Sequence, residues 1–178
     1  MYHAHKGGDG VRIRQMTLCA LFAALTAVCA QIVLPIGPVP VNLALLPVLV
    51  CGALLPAGQA AVTALVYLGM GAAGLPVLAG MTGGLGALLG PTGGYLLGYV
   101  LCAAVVAGLI HRGVKRPLAM AAGVAACYLP GVTWLMITTG MALPQTLASG
   151  ALSFLPGDIL KLFAADYLSK RLYLVVRP

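Results

Sequence analysis

The chain has 178 residues, 61% of them hydrophobic and only 7% charged, with a mean hydropathy of +1.05. That profile excludes an ordinary soluble domain and predicts an integral membrane protein in contact with a lipid bilayer. The net charge of +7 accompanies three acids, Asp9, Asp158 and Asp166, and no glutamate; a nucleic-acid partner would need a solvated basic face, for which this apolar background leaves no room.

The first thirteen residues, polar and rich in glycine, predict a flexible cytoplasmic tail, and residues 14–178 a single membrane domain. Crossing about 30 Å of hydrocarbon takes roughly 20 helical residues. Six spans follow in chain order, from Gln15 to Val33, Val41 to Leu55, Gly58 to Leu75, Thr92 to Ile110, Pro117 to Thr139 and Ala148 to Leu172. The predicted fold is therefore all-α, a bundle of six transmembrane helices. The second span is short and meets the third at a tight Pro56-Ala57-Gly58 turn, while Pro156-Gly157 interrupts the sixth.

Basic residues set the orientation. Lys6, Arg12 and Arg14 precede the first span, Arg112, Lys115 and Arg116 fill the loop after the fourth, and Lys170, Arg171 and Arg177 close the chain. With an even number of spans these clusters share one face, and the positive-inside rule makes that face, and both termini, cytoplasmic in an inner membrane. The loops on the other face, Leu34 to Pro40, Pro76 to Pro91 and Gly140 to Leu147, hold no charged residue. All three can line an outward-facing pocket.

The five cysteines, Cys19, Cys29, Cys51, Cys102 and Cys127, stand singly in apolar runs without C-x-x-C spacing, and read as packing residues rather than a metal or redox set. The stretch from Gly74 to Tyr95 is rich in glycine and free of charge, and reads either as a flexible loop or as a lid over the pocket. Within it begins a stripe of Gly86, Gly90, Gly94 and Gly98, a spacing that lets helices pack closely. Phosphate cradling is excluded there by the absence of G-K-[ST].

One basic residue has no topological role. Lys161 lies three residues after Asp158, which is twelve residues before Lys170 and so about 18 Å along a helix from the inner surface. A spacing of three puts both charges on one helical face at membrane depth. Such residues cost at least about 2.5–3.5 kcal/mol each to insert and generally serve function, although a salt bridge that only fixes packing remains the structural alternative. Proline and glycine just before the pair place Asp158 at a helix start, where backbone donors also suit a polar ligand. An acceptor beside an ammonium suits a small molecule with an N–H donor and a carboxylate. A proton relay would want further carboxylates or histidines, and an intramembrane enzyme a second acid, a histidine or a metal, none of which stands nearby.

The runs LPIGPVPVNL, YLGMGAAGLPVLAG, GGLGALLGPTGGYLLGY and FLPGDILK, in this order, resemble the BioY family, biotin-specific substrate-binding components of energy-coupling-factor transporters. The resemblance extends from Arg14 to Leu172. It implies a non-enzymatic role in biotin uptake, with biotin as the transported ligand and no cofactor, a lid after the third helix, and an energising module of a membrane coupling subunit and two ATP-binding subunits. Asp158 then contacts the ureido ring and Lys161 the valerate carboxylate, a polar group for each end of biotin. Asn42, Tyr67, Thr82, Gly83, Gly84 and Tyr95 complete the implied ligand set. An A-x-x-x-A pattern in the first helix, Ala20 and Ala24 with Ala23 and Ala27 beside them, implies the docking face for the coupling subunit.

Two departures stand out. Thr82 occupies a place where many relatives carry arginine, and VNLALL follows the P-V-P element where many have threonine and glutamine, Asn42 substituting in part. Alternatives are a component for another small vitamin and a solitary biotin facilitator.

Overall fold

Aliphatic runs punctuated by glycine and proline make helices of very unequal length in the computed structural model, which describes residues 6–34 and 41–176. Helix α1 runs continuously over Lys6–Ala30. Residues 6–13, expected to be an irregular tail, are thus helical. Glycine lowers helix propensity by about 1 kcal/mol per residue, but no proline stops a helix that extends backward from an apolar run, and extension is far easier than nucleation. After α1, β1 (Val33–Leu34) pairs antiparallel with β2 (Val41–Asn42), Val33 opposite Asn42. This small ladder is the departure from an all-α chain, and most of the predicted Leu34 to Pro40 loop lies outside the described residues.

Helix α2 (Leu45–Leu54) buries nine of its ten residues, and at 1.5 Å per residue it is about 15 Å long. It therefore lies inside the bundle, packed on the later helices, and is too short to cross a bilayer alone. Helix α3 (Ala57–Ala72) follows the Pro56 turn. Among the described residues four segments are long and apolar enough to span a membrane: Ile13–Ala30, Gly93–His111, Arg116–Thr139 and Leu143–Tyr173. Their outer faces expose Leu21, Val28, Leu97, Leu129, Ile137, Leu160 and Phe163. A lipid environment accommodates such a surface, so the protein is membrane-embedded.

Helices α5 (Gly93–His111) and α6 (Arg116–Thr139) form the most extensive pair. Glycine makes their approach possible. A Cβ at Gly94 would fall 2.3 Å from the Pro130 carbonyl oxygen, and one at Gly98 2.6 Å from that of Cys127, whereas one at Gly86 would meet nothing within 4 Å. Half of the predicted glycine stripe therefore packs helices; Gly86 and Gly90 lie in the segment before α5 and make no such approach to another helix.

Residues 143–147, expected in a loop, form the short helix α7 (Leu143–Leu147), with Pro144 in its first turn, where a missing N–H costs nothing. The Thr146 hydroxyl donates to the Ala142 carbonyl at 3.1 Å. A π-helical turn over Ala148–Leu152 follows, then a break at residues 153–154 and α8 (Leu155–Val176). Pro156 explains the break: its ring would clash with the carbonyl four residues back, at Leu152, if the helix ran straight through.

Between α3 and α5 the chain folds on itself. Leu78 N–H donates to the Thr82 carbonyl at 3.0 Å, closing a tight turn in which Gly80 and Met81 both have positive φ, +69° and +60°. The helix α4 (Leu85–Leu89) follows. Gly84 N–H reaches back to the Gly71 carbonyl at 2.7 Å, and a Cβ at Gly83 would collide with the Leu75 carbonyl oxygen at 2.3 Å. These two glycines set the loop's path against the end of α3.

Candidate ligand cavity

The loop, the start of α2 and helices α5, α6 and α8 enclose a cavity of about 420 Å³, within the usual range for small-molecule sites. Its polar point is on α8. Lys161 Nζ lies 2.7 Å from Asp158 Oδ1, and the Tyr128 hydroxyl of α6 donates to Asp158 Oδ2 at 2.6 Å. Asp158 and Lys161 are each only 6% exposed. A carboxylate has about four acceptor sites and an ammonium three donors, so both groups retain bonding capacity for a ligand. The Asp158 N–H is already committed to the Phe154 carbonyl at 2.9 Å. The expectation of ligand-ready backbone donors is not met at that residue, because the turn before α8 supplies an acceptor.

An aromatic wall adjoins this point. The Tyr95 ring meets Phe154 at 5.7 Å and Tyr128 at 6.4 Å between centroids, both nearly perpendicular, the edge-to-face arrangement aromatic pairs favour. The Tyr95 hydroxyl donates to the Gly150 carbonyl at 2.6 Å, so this residue offers the cavity its ring and not its hydroxyl. Asn42 Oδ1 accepts from Ala44 N–H at 3.0 Å and lies 3.4 Å from the Tyr99 hydroxyl. That oxygen thus closes the turn that leads into α2, while the residue still lines the cavity.

Of the predicted ligand set, Asp158, Lys161, Asn42, Thr82 and Tyr95 come together around the cavity. Tyr67, Gly83 and Gly84 are not among its lining residues. Tyr67 is fully buried behind Tyr99, ring centroids 6.5 Å apart, because its helix turns that face toward α5; the glycines act through the loop's path. The contact between Asp158 and Lys161 also makes them one polar point, not two separated ends. A spacing of three on one turn brings the side chains together, and the Lys161 ammonium keeps further N–H donors beside that contact. Among the described residues no group of three His, Cys, Asp or Glu side chains could hold a metal.

On α1, Ala20 and Ala24 are exposed, Ala27 is half-buried, and Ala23 is buried at 1% exposure. Ala23 packs into the core and is unavailable for docking, since one residue's step around a helix is about 100°.

A model of the BioY family matches residues 3–177. The chain belongs to the BioY family. A probable biotin transporter BioY of Pyrococcus horikoshii is 38% identical over 162 residues, spanning 91% of this chain and 98% of the relative. A biotin transporter BioY of Rhodobacter capsulatus is also 38% identical, over 88% and 92% of the two chains. A crystal structure of the S-component for biotin from an ECF-type ABC transporter superposes with a TM-score of 0.85 at 25% identity, covering 95% of this chain and 94% of that one. These relatives are transporters or transporter components by name, which agrees with the expectation that a BioY chain is no enzyme.

Tyr128 and Tyr99 are polar cavity-lining residues that sequence reasoning overlooked in this BioY member. A signal existed: Tyr95 and Tyr99 are four apart on one helical face, and Tyr128 is the single tyrosine in its span. Spacing alone could not show that Tyr128, on another helix, reaches the Asp158 carboxylate.

Proposed function

We propose that this chain captures biotin from outside the cell and delivers it across the cytoplasmic membrane as the substrate-binding component of an energy-coupling-factor transporter. The observation that carries the reading is the Asp158, Lys161 and Tyr128 cluster in a cavity whose other lining residues are uncharged. A cyclic urea offers two N–H donors and a carbonyl acceptor. Asp158 oxygens receive the donors, and the free N–H groups of Lys161 meet ligand oxygens. The aromatic wall and Leu45, Leu78 and Leu96 suit the apolar ring and tail.

The chain carries no nucleotide-binding motif, so the energy comes from partners: a membrane coupling subunit and two ATP-binding subunits. We assign six crossings, α2 and α3 making two of them with their flanking segments, and place both termini and the 112–116 loop in the cytoplasm with the loop at residues 73–92 outside, as a lid. Basic residues at 112, 115, 116, 170 and 171 support that orientation. In a variant lacking the native cysteines, Thr82→Cys is expected to react with an impermeant thiol reagent in intact cells and Arg112→Cys only after permeabilisation. Equal reactivity would remove the even-span arrangement.

The ligand is tested by thermal shift of the purified protein against a panel of vitamins, since a ligand bound to the native state stabilises it by RT ln(1 + [L]/Kd). Biotin is expected to stabilise it, and stabilisation by a different vitamin alone would overturn the reading. Tyr128→Phe removes one hydrogen bond to a charged group, about 1.5–3 kcal/mol, and is expected to weaken equilibrium biotin binding by about 10- to 100-fold.

A further inference from the structure

Gln31, just beyond the last turn of α1, is used by none of the chemistry above, yet its carboxamide is fully engaged. Nε2 donates to the Ala27 carbonyl of its own helix at 2.9 Å and to the Leu78 carbonyl at 3.2 Å. Oε1 accepts the Met81 N–H at 2.9 Å. The bond to Ala27 fixes the amide on the end of α1, so the two remaining bonds grip the tight turn from both sides. That turn holds Met81 at φ +60°, the one non-glycine residue with positive φ among those described, a conformation that persists only where surrounding contacts hold it. Leu78, Ala79 and Thr82 of the same turn line the ligand cavity.

We propose that Gln31 is a latch: a positioning residue that holds the 78–82 turn closed on α1 and thereby sets how long a ligand stays in the cavity. The proposal rests on the reading of the cavity as the capture site. One carboxamide group supplies both the donor to Leu78 and the acceptor for Met81. The turn springs from α3, so Gln31 gives it a second anchor on a different helix, and losing that anchor leaves only contacts within the turn and to the end of α3: the Leu78 to Thr82 pairing, the Thr82 hydroxyl on the Ala79 carbonyl, Gly84 N–H on the Gly71 carbonyl, and packing of Leu78 against Gly71. Opening then becomes easier, and release faster, with the cavity floor unchanged.

Two measurements on the full chain in lipid nanodiscs test this. Gln31→Met keeps the side chain's length and removes every bond; Gln31→Glu keeps the acceptor for Met81 but has no donor for Leu78. In ligand-free protein, amide exchange in a peptide containing residues 78–82 is expected to accelerate at least about tenfold in Gln31→Met and less in Gln31→Glu. Radiolabelled biotin is expected to dissociate at least about tenfold faster from Gln31→Met, with association changed by no more than about threefold. Wild-type exchange in both variants would overturn the latch, and faster exchange with unchanged dissociation would overturn its role in retention. If Gln31→Met does not fold, Gln31→Glu must still show both effects in smaller degree or the proposal falls. Failure of the wild-type chain to bind biotin would overturn the functional reading instead, and the ligand-free exchange would still decide whether Gln31 holds the turn.

Discussion

Lys161→Met is expected to abolish biotin retention and to destabilise the protein by about 3–5 kcal/mol, the scale observed when one partner of a buried ion pair is removed. The pair is buried on both sides, and without the ammonium the Asp158 carboxylate keeps a single side-chain partner, Tyr128. The double variant Asp158→Asn with Lys161→Met removes both charges, so no buried ion is left without its counter-ion. It is expected to recover most of the lost stability and none of the binding. Thermal unfolding in detergent gives the first quantity and radiolabelled biotin the second. A double variant that binds biotin at the wild-type level would show the pair to be a packing device and remove it from the site. A Lys161→Met protein with unchanged stability would show that the carboxylate does not depend on the ammonium as its counter-ion.

The second large effect concerns the energising partner. Ala24→Trp is expected to eliminate co-purification of the coupling module and ATP-driven uptake, leaving biotin binding by the isolated chain within about threefold of wild type. Ala24 and Ala20 are exposed on α1, and no α1 residue lines the cavity. Small residues let helices approach closely, packing being the main attraction between helices in lipid, and an indole at that point prevents the approach, overpacking costing typically about 1–3 kcal/mol. Ala23→Trp serves as the contrast. Its side chain points into the core, so it is expected to impair folding itself. Wild-type co-purification of Ala24→Trp would place the docking face elsewhere.

Much of the site was legible in the chain. Residues 15–111 and 117–157 carry no acid, lysine or arginine, so Asp158 and Lys161 stood out, and helical spacing placed them on one face at depth. Hydropathy settled the membrane class because an apolar run of sufficient length has few other stable environments. Glycine at positions 94 and 98 announced a close helix approach that the α5 and α6 pair realises.

The tertiary structure decided what each face meets. A 3.6-residue period groups side chains by direction but carries no information about the neighbour in that direction. Hence Tyr128 as the third member of the polar point, Tyr67 behind Tyr99 and Ala23 inside while Ala24 faces out were settled by packing between helices. The same reason governs α2, whose composition fits a span but nine of whose ten residues are buried within the bundle. Gln31 is the clearest case: its bonds to Leu78 and Met81, across separations of 47 and 50 residues, exist only because the chain between them folds α3 back alongside α1.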